Sequence, residues 1–124
     1  MADHVQRWGE GTEGKRGYRS IGAVVGATYP EEAKILRKLL PHVFFLVPGY
    51  GAQGASAEDI LPSFNADRYG AIVNSSRGIS FAYTLSPYRE EFGPEQFEEA
   101  ARKAAQDMTE EIHNALVRFH DNSK

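Results

Sequence analysis

Three short apolar runs constrain this chain more than any other feature. Ile21-Gly22-Ala23-Val24-Val25-Gly26, Val43-Phe44-Phe45-Leu46-Val47 and Ala71-Ile72-Val73 carry no polar alternation. Runs of this kind suit strands buried on both faces of a parallel sheet. Each ends in a loop of small residues, and each is followed by a helical pattern. After the first, Thr28 and Glu31 have capping-box spacing, Pro30 sits in the first turn, and Ile35, Leu36, Leu39 and Leu40 recur at helical spacing up to Pro41. After the second, a helix is expected from about Ser56, shortened or kinked at Pro62. After the third, Ile79 to Tyr83 suits a short helix. From Pro94 a long amphipathic helix follows, with Phe97, Ala101, Ala104, Met108, Ile112, Ala115, Leu116 and Phe119 on one stripe suited to cover a sheet. Asp3 to Trp8 reads as the last turns of a helix, and Gly9, Gly11, Gly14 and Gly17 punctuate a loop. Successive βα units imply an α/β fold, a parallel sheet with right-handed crossovers, in one domain over residues 1–124.

Composition narrows the function. Fourteen Lys and Arg against 17 Asp and Glu leave a net charge of −3, which argues against a nucleic-acid partner. The longest clearly apolar run, Val43 to Val47, falls far short of the roughly 18 residues a membrane span needs. The segment Met1 to Arg7 has no apolar core of a secretory signal, so a cytoplasmic setting is expected. The chain has no cysteine, and His4, His42, His113 and His120 show no ligand spacing, so no metal is expected. Ser75 and Ser76 lack a paired His and acidic residue, which disfavours a nucleophile.

In parallel α/β folds ligands bind beyond the carboxyl ends of the strands. The loops there are Gly26-Ala27-Thr28, Pro48 to Gly54 and Asn74 to Gly78. Their small residues allow a ligand close to backbone N–H groups, and Arg77 offers a fork for phosphate or carboxylate. Two readings follow. Gly49-Tyr50-Gly51-Ala52-Gln53-Gly54 spells the glycine fingerprint of an NADP-binding Rossmann half, although a βα unit precedes it and its helix starts late. The other reading is part of a (β/α) barrel, where phosphate sits between the loops after the last two strands.

Val24 to Glu31, Phe45 to Gly54 and Ile72 to Gly78 together resemble the corresponding blocks of orotidine 5′-phosphate decarboxylase, in its bacterial type 2 subfamily. The resemblance covers nearly the whole chain in the family's order and spacing. It implies a TIM (β/α)8 barrel, of which this chain matches the C-terminal part, about strands 6–8. It also implies decarboxylation of orotidine 5′-monophosphate to UMP without metal or cofactor. By the resemblance Gln53 contacts the phosphate and bridges towards the pyrimidine. Arg77 clamps the phosphate with the N–H of Ser76, and Pro48 packs on the base. Gly49, Gly51 and Gly54 shape the loop. The family's Asp-x-Lys-x-x-Asp motif is missing: none of Asp3, Asp59, Asp67, Asp107 or Asp121 is followed two residues on by lysine. No catalytic residue is therefore expected in this chain. A phosphate-binding or interaction module without catalysis is the alternative. Association with a second copy, or with a missing N-terminal half, is expected from the uncovered strand edges and an inner face of Val24, Phe45, Val47 or their neighbours.

Overall fold

A computed structural model describes residues 1–51 and 54–122. The chain divides into two compact units, Met1–Asn74 and Ser75–Lys124. The first opens with α1 (Ala2–Trp8) and a loop, then alternates β1 (Gly22–Val24), α2 (Pro30–Leu39), β2 (Phe44–Val47), α3 (Ala57–Ile60) and β3 (Ala71–Val73). The strands form one parallel sheet in the order β1-β2-β3. This is the expected βα succession, and Pro62 does convert the end of α3 into a 3-10 turn, Leu61–Ser63.

The strands are buried on one face only, which corrects the two-faced expectation. Phe45 and Val47 are fully buried, whereas Val24, Leu46 and Ile72 are 71%, 41% and 57% exposed. Register explains the division. Val24 pairs with Leu46 and Leu46 with Ile72, so the three side chains form one row across the sheet. The opposite face packs on α2, whose Arg37 lies over the Phe45 ring at 3.7 Å. An apolar run marks a strand able to be covered twice; it does not supply the second cover. Phe45 and Val47 thus belong to the covered face rather than the uncovered one.

Two local expectations about α2 also change. Its N-cap is Tyr29, not Thr28, and no side chain caps it. Pro30 at the first helical position bars Tyr29 from the helical region and sets the start one residue later than the Thr28–Glu31 box requires. The helix is also rotated. Ala33, Arg37 and Leu40 are buried, while Ile35 and Leu39 are exposed.

Arg37 is the buried polar centre of this unit. Its Nε donates to Ser63 O at 2.9 Å, Nη1 to Leu40 O at 2.7 Å and Val43 O at 2.9 Å, and Nη2 to Gly70 O at 2.7 Å. Burial pulls its pKa down to about 10, still far above neutrality. Beside it Tyr18 Oη donates to Asp67 at 3.0 Å and accepts from Asn65 Nδ2 at 2.9 Å. Burial is the main cause that pushes the Tyr18 phenol above its ordinary value. Gly70 has φ +95°, and a Cβ there would lie 2.9 Å from Asn65 Nδ2, so only glycine fits. All of this lies at the amino ends of β2 and β3.

In the second unit α4 (Ser76–Ser80) leads through a 3-10 turn, Ala82–Thr84, to α5 (Tyr88–Glu91), then to a second turn, Pro94–Gln96, and α6 (Phe97–Asn122). The short helix thus starts at Ser76 rather than Ile79. Ala82, Ala100 and Ala104 form a small core, with Tyr83, Tyr88 and Phe92 packed against it. Tyr88 Oη donates to Asp107 at 2.9 Å, fastening α5 to α6, and burial with that carboxylate pushes the phenol up to about 12. On α6 the stripe is carried by Ala100, Ala104, Ala115 and Leu116, while Phe97 and Phe119 at its ends are exposed, as is Trp8 on α1. Among the described residues no helix is long and apolar enough to cross a membrane.

Candidate functional site

The loops at the carboxyl ends of β1 and β2 are tied together. Val25 N donates to Leu46 O and Ala27 N to Pro48 O, both at 2.9 Å. Pro48 then opens the glycine loop, in which Gly49, Gly51 and Gly54 all have positive φ, at 102°, 73° and 83°. That backbone is nearly closed to other residues, so the glycines are required by the loop's path and not only by access for a ligand. Gly51 N donates to Ala55 O and Gly54 N to Gly51 O, both at 2.9 Å. Gln53 lies outside the described residues.

Helix α3 begins at Ala57, beyond the glycines. Ser56 N and Oγ both donate to Asp59 Oδ2, at 2.8 and 2.9 Å. These bonds, the backbone one first, hold the Asp59 carboxyl below its ordinary value. Ser56-x-x-Asp59 is legible in the sequence as an N-terminal signal, and it was the box that mattered. Ala27, Thr28, Gly54, Ala55 and Asp59 line a recess of about 120 Å³. A whole small-molecule site runs to roughly 300–1,000 Å³, so this recess takes part of a ligand. Asp59 is the charged group in its lining and repels an anion.

Arg77, the cation expected from the sequence, stands in the second unit. Arg77 occupies the first turn of α4 next to Ser76, and both side chains are exposed. Among the described residues none bonds to or ion-pairs with the Arg77 guanidinium, so its fork is not consumed. Gly78, one residue on, leaves room for Ser75: a Cβ there would fall 2.4 Å from Ser75 Oγ. Among the described residues no group of three or more His, Cys, Asp and Glu is placed to hold a metal ion. The structure therefore gathers Pro48, Gly49, Gly51 and Gly54 in one loop, and Ser76 with Arg77 on one helical turn.

No family model matches the chain. Curated proteins do. The orotidine 5′-phosphate decarboxylase of Caldicellulosiruptor bescii is 42% identical over 116 residues, 94% of this chain and 36% of that protein. The one from Rhodopirellula baltica is 46% identical over 96 residues, 77% of this chain and 32% of that protein. The one from Petrotoga mobilis is 44% identical over 114 residues, covering 92% and 38%. The chain thus spans between 32% and 38% of the length of these three relatives. Among solved structures, one described as an orotidine-monophosphate-decarboxylase from Toxoplasma gondii is 31% identical with a TM-score of 0.54, over 85% of this chain and 40% of that one. Leishmania donovani UMP synthase matches at 30% identity and a TM-score of 0.50, over 84% and 21%. By sequence and by fold, the chain belongs to the orotidine 5′-phosphate decarboxylase family and corresponds to a C-terminal part of its longer, TIM-barrel members.

Proposed function

We propose that this chain supplies the phosphate-binding end of an orotidine 5′-phosphate decarboxylase, an enzyme of pyrimidine biosynthesis in the cytoplasm, and performs no chemistry by itself. The observation that carries this is Arg77: an exposed guanidinium that no described residue bonds or ion-pairs, beside Ser76 on the turn after β3, in a chain whose relatives are named orotidine 5′-phosphate decarboxylases. Arg77 meets the phosphate dianion with paired charge-assisted bonds. The Ser76 N–H adds a donor, Gln53 adds one neutral amide bond and bridges towards the base, and Pro48 packs on the pyrimidine. Gly49, Gly51 and Gly54 let the backbone approach. No cofactor or metal is needed for these contacts.

Binding and turnover separate on this reading. Decarboxylation needs a proton donor for the carbon that loses CO₂ and carboxylates around it, and the Asp-x-Lys-x-x-Asp arrangement is not present here. The purified chain is expected to convert no orotidine 5′-monophosphate; enzyme-dependent conversion above background overturns this half of the proposal.

The other half is read by calorimetric titration of UMP and uridine, with the complementary half of the barrel supplied in trans. Charge-assisted bonds are worth about 1.5–3 kcal/mol each. Arg77→Ala should therefore weaken UMP binding by about tenfold to a few hundredfold. A neutral bond is worth about 0.5–1.5 kcal/mol, so Gln53→Ala should cost about tenfold or less. Uridine should bind poorly to every variant. A folded Arg77→Ala protein that keeps its UMP affinity shows the phosphate site to be elsewhere.

A further inference from the structure

Helix α2 turns an apolar stripe away from the sheet. Ala33, Arg37 and Leu40 are buried on its inner side, while Ile35 and Leu39 on the opposite side are 61% and 54% exposed. Charges frame this pair. Glu31 and Glu32 stand in the first turn and Lys38 in the last, all three exposed. Glu31 lies four residues before Ile35, and Lys38 and Leu39 lie three and four after it, the spacing that sets side chains on one helical face. Among the described residues none bonds to or ion-pairs with Glu31, Glu32 or Lys38.

The order acidic, apolar, basic along one face is complementary to itself when reversed. Two copies of the helix crossing antiparallel about a two-fold axis at Ile35 bring Ile35 onto Ile35, and Glu31 of each copy beside Lys38 of the other. The apolar stem of Lys38 extends the patch that Ile35 and Leu39 begin. Opposed helix dipoles favour the same arrangement. A parallel pair would instead set Glu31 against Glu31 and Lys38 against Lys38. We propose that the outer face of α2 is a contact surface for a second copy of this chain, paired antiparallel through Ile35 and Leu39 with reciprocal Glu31–Lys38 ion pairs. Two apolar side chains per copy bury far less than the roughly 1,200 Å² of a stable interface, so the contact is transient and needs chemical capture to be counted. It is separate from the exposed sheet row of Val24, Leu46 and Ile72 and depends on no ligand.

The test is disulfide capture in the full chain. The sequence has no cysteine, so Ile35→Cys places a single thiol at the two-fold axis. Helix axes about 8–10 Å apart, with Cα atoms about 2.3 Å from each axis, leave facing Cα atoms within reach of a disulfide. Leu46→Lys and Ile72→Lys are added throughout to remove the sheet row, and circular dichroism checks folding. With diamide as oxidant, Ile35→Cys should form a disulfide dimer about tenfold faster than Lys15→Cys, an exposed thiol in the loop before β1. Adding Glu31→Lys or Lys38→Glu should each slow capture by about tenfold, because symmetry turns two attractions into two repulsions. Both reversals in one chain recreate the ion pairs, and capture should return to within about twofold of the unreversed rate. Mixing the two single reversals should give mostly mixed dimers, told apart by mass.

Carbodiimide coupling of the wild-type chain is the second route, for it needs no substitution. With half of the protein labelled with heavy nitrogen, it should join Glu31 to Lys38 in peptides that carry one label. Capture no faster than at Lys15→Cys, without mixed-label coupling, overturns the proposal and leaves this face to a different partner or to solvent. Fast capture that the single reversals leave unchanged, or that the double reversal does not recover, overturns it as well.

Discussion

Replacing Arg37 with methionine, which nearly matches its length, should cost the first unit about 2–6 kcal/mol, because buried carbonyls left without a donor cost about 1–3 kcal/mol each. Domains of this size hold roughly 5–15 kcal/mol in all, so the loss approaches unfolding. The carbonyls of Leu40, Val43, Ser63 and Gly70 would each lose a guanidinium N–H, and of these Leu40 O keeps the bond from Val43 N and Gly70 O the bond from Phe45 N. Methionine fills space but donates nothing. Lysine restores a charge, yet its single ammonium cannot reproduce the planar fork or lie flat over Phe45, so Arg37→Lys should recover only part. Urea unfolding followed by circular dichroism measures both. An Arg37→Met protein within about 1 kcal/mol of wild type would show the network to be dispensable.

The purified chain should associate, and two substitutions on the sheet should stop it. Val24, Leu46 and Ile72 form an apolar row exposed in register, and β1 and β3 each leave one edge unpaired in the three-stranded sheet. Exposed rows and edges of this kind favour pairing with another chain. Leu46→Lys with Ile72→Lys places two like charges across the row and should turn a concentration-dependent oligomer into a monomer in sedimentation velocity. On the proposed reading this face meets the remainder of a barrel, so the double variant should also lose the complementary half supplied in trans. Because both side chains are substantially exposed, the cost to folding should stay within about 1 kcal/mol. A wild-type chain that sediments as a monomer at every concentration tested removes the basis of the prediction.

The strands were legible because each apolar run ends at Gly, Pro or Asn, and β2 and β3 fall within their expected bounds. What the runs do not encode is coverage. Val24 and Phe45 look alike as letters, and only register and a packed α2 set one in solvent and the other in the core. Helix α2 misled in the same way. Ile35 and Leu39 are the more apolar pair, but the buried face is Ala33, Arg37 and Leu40, spaced four and three residues apart. A charged residue on that spacing is the signal for a buried cation, a weak one because isolated charges are rarely buried. Around the candidate site, chemistry-bearing types were recognisable at Arg77 and in the glycine loop. The burial of Tyr50 was not, since it depends on a bridge between Tyr50 and Ala55 that no local pattern announces.

The convergence on Arg37 also orders events in time. Its four acceptors come from the end of α2, the turn into β2, the 3-10 turn after α3 and the entrance to β3. The Leu40 and Val43 carbonyls lie near Arg37 in the chain, but those of Ser63 and Gly70, 26 and 33 residues away, come within reach only as the long-range contacts close. Before then the guanidinium is better solvated by water than by one or two carbonyls. The residue therefore works as a late latch. Its loss should leave the rate of folding nearly untouched and appear as faster opening, so the lifetime of the native state, more than the route to it, is what this one arginine governs.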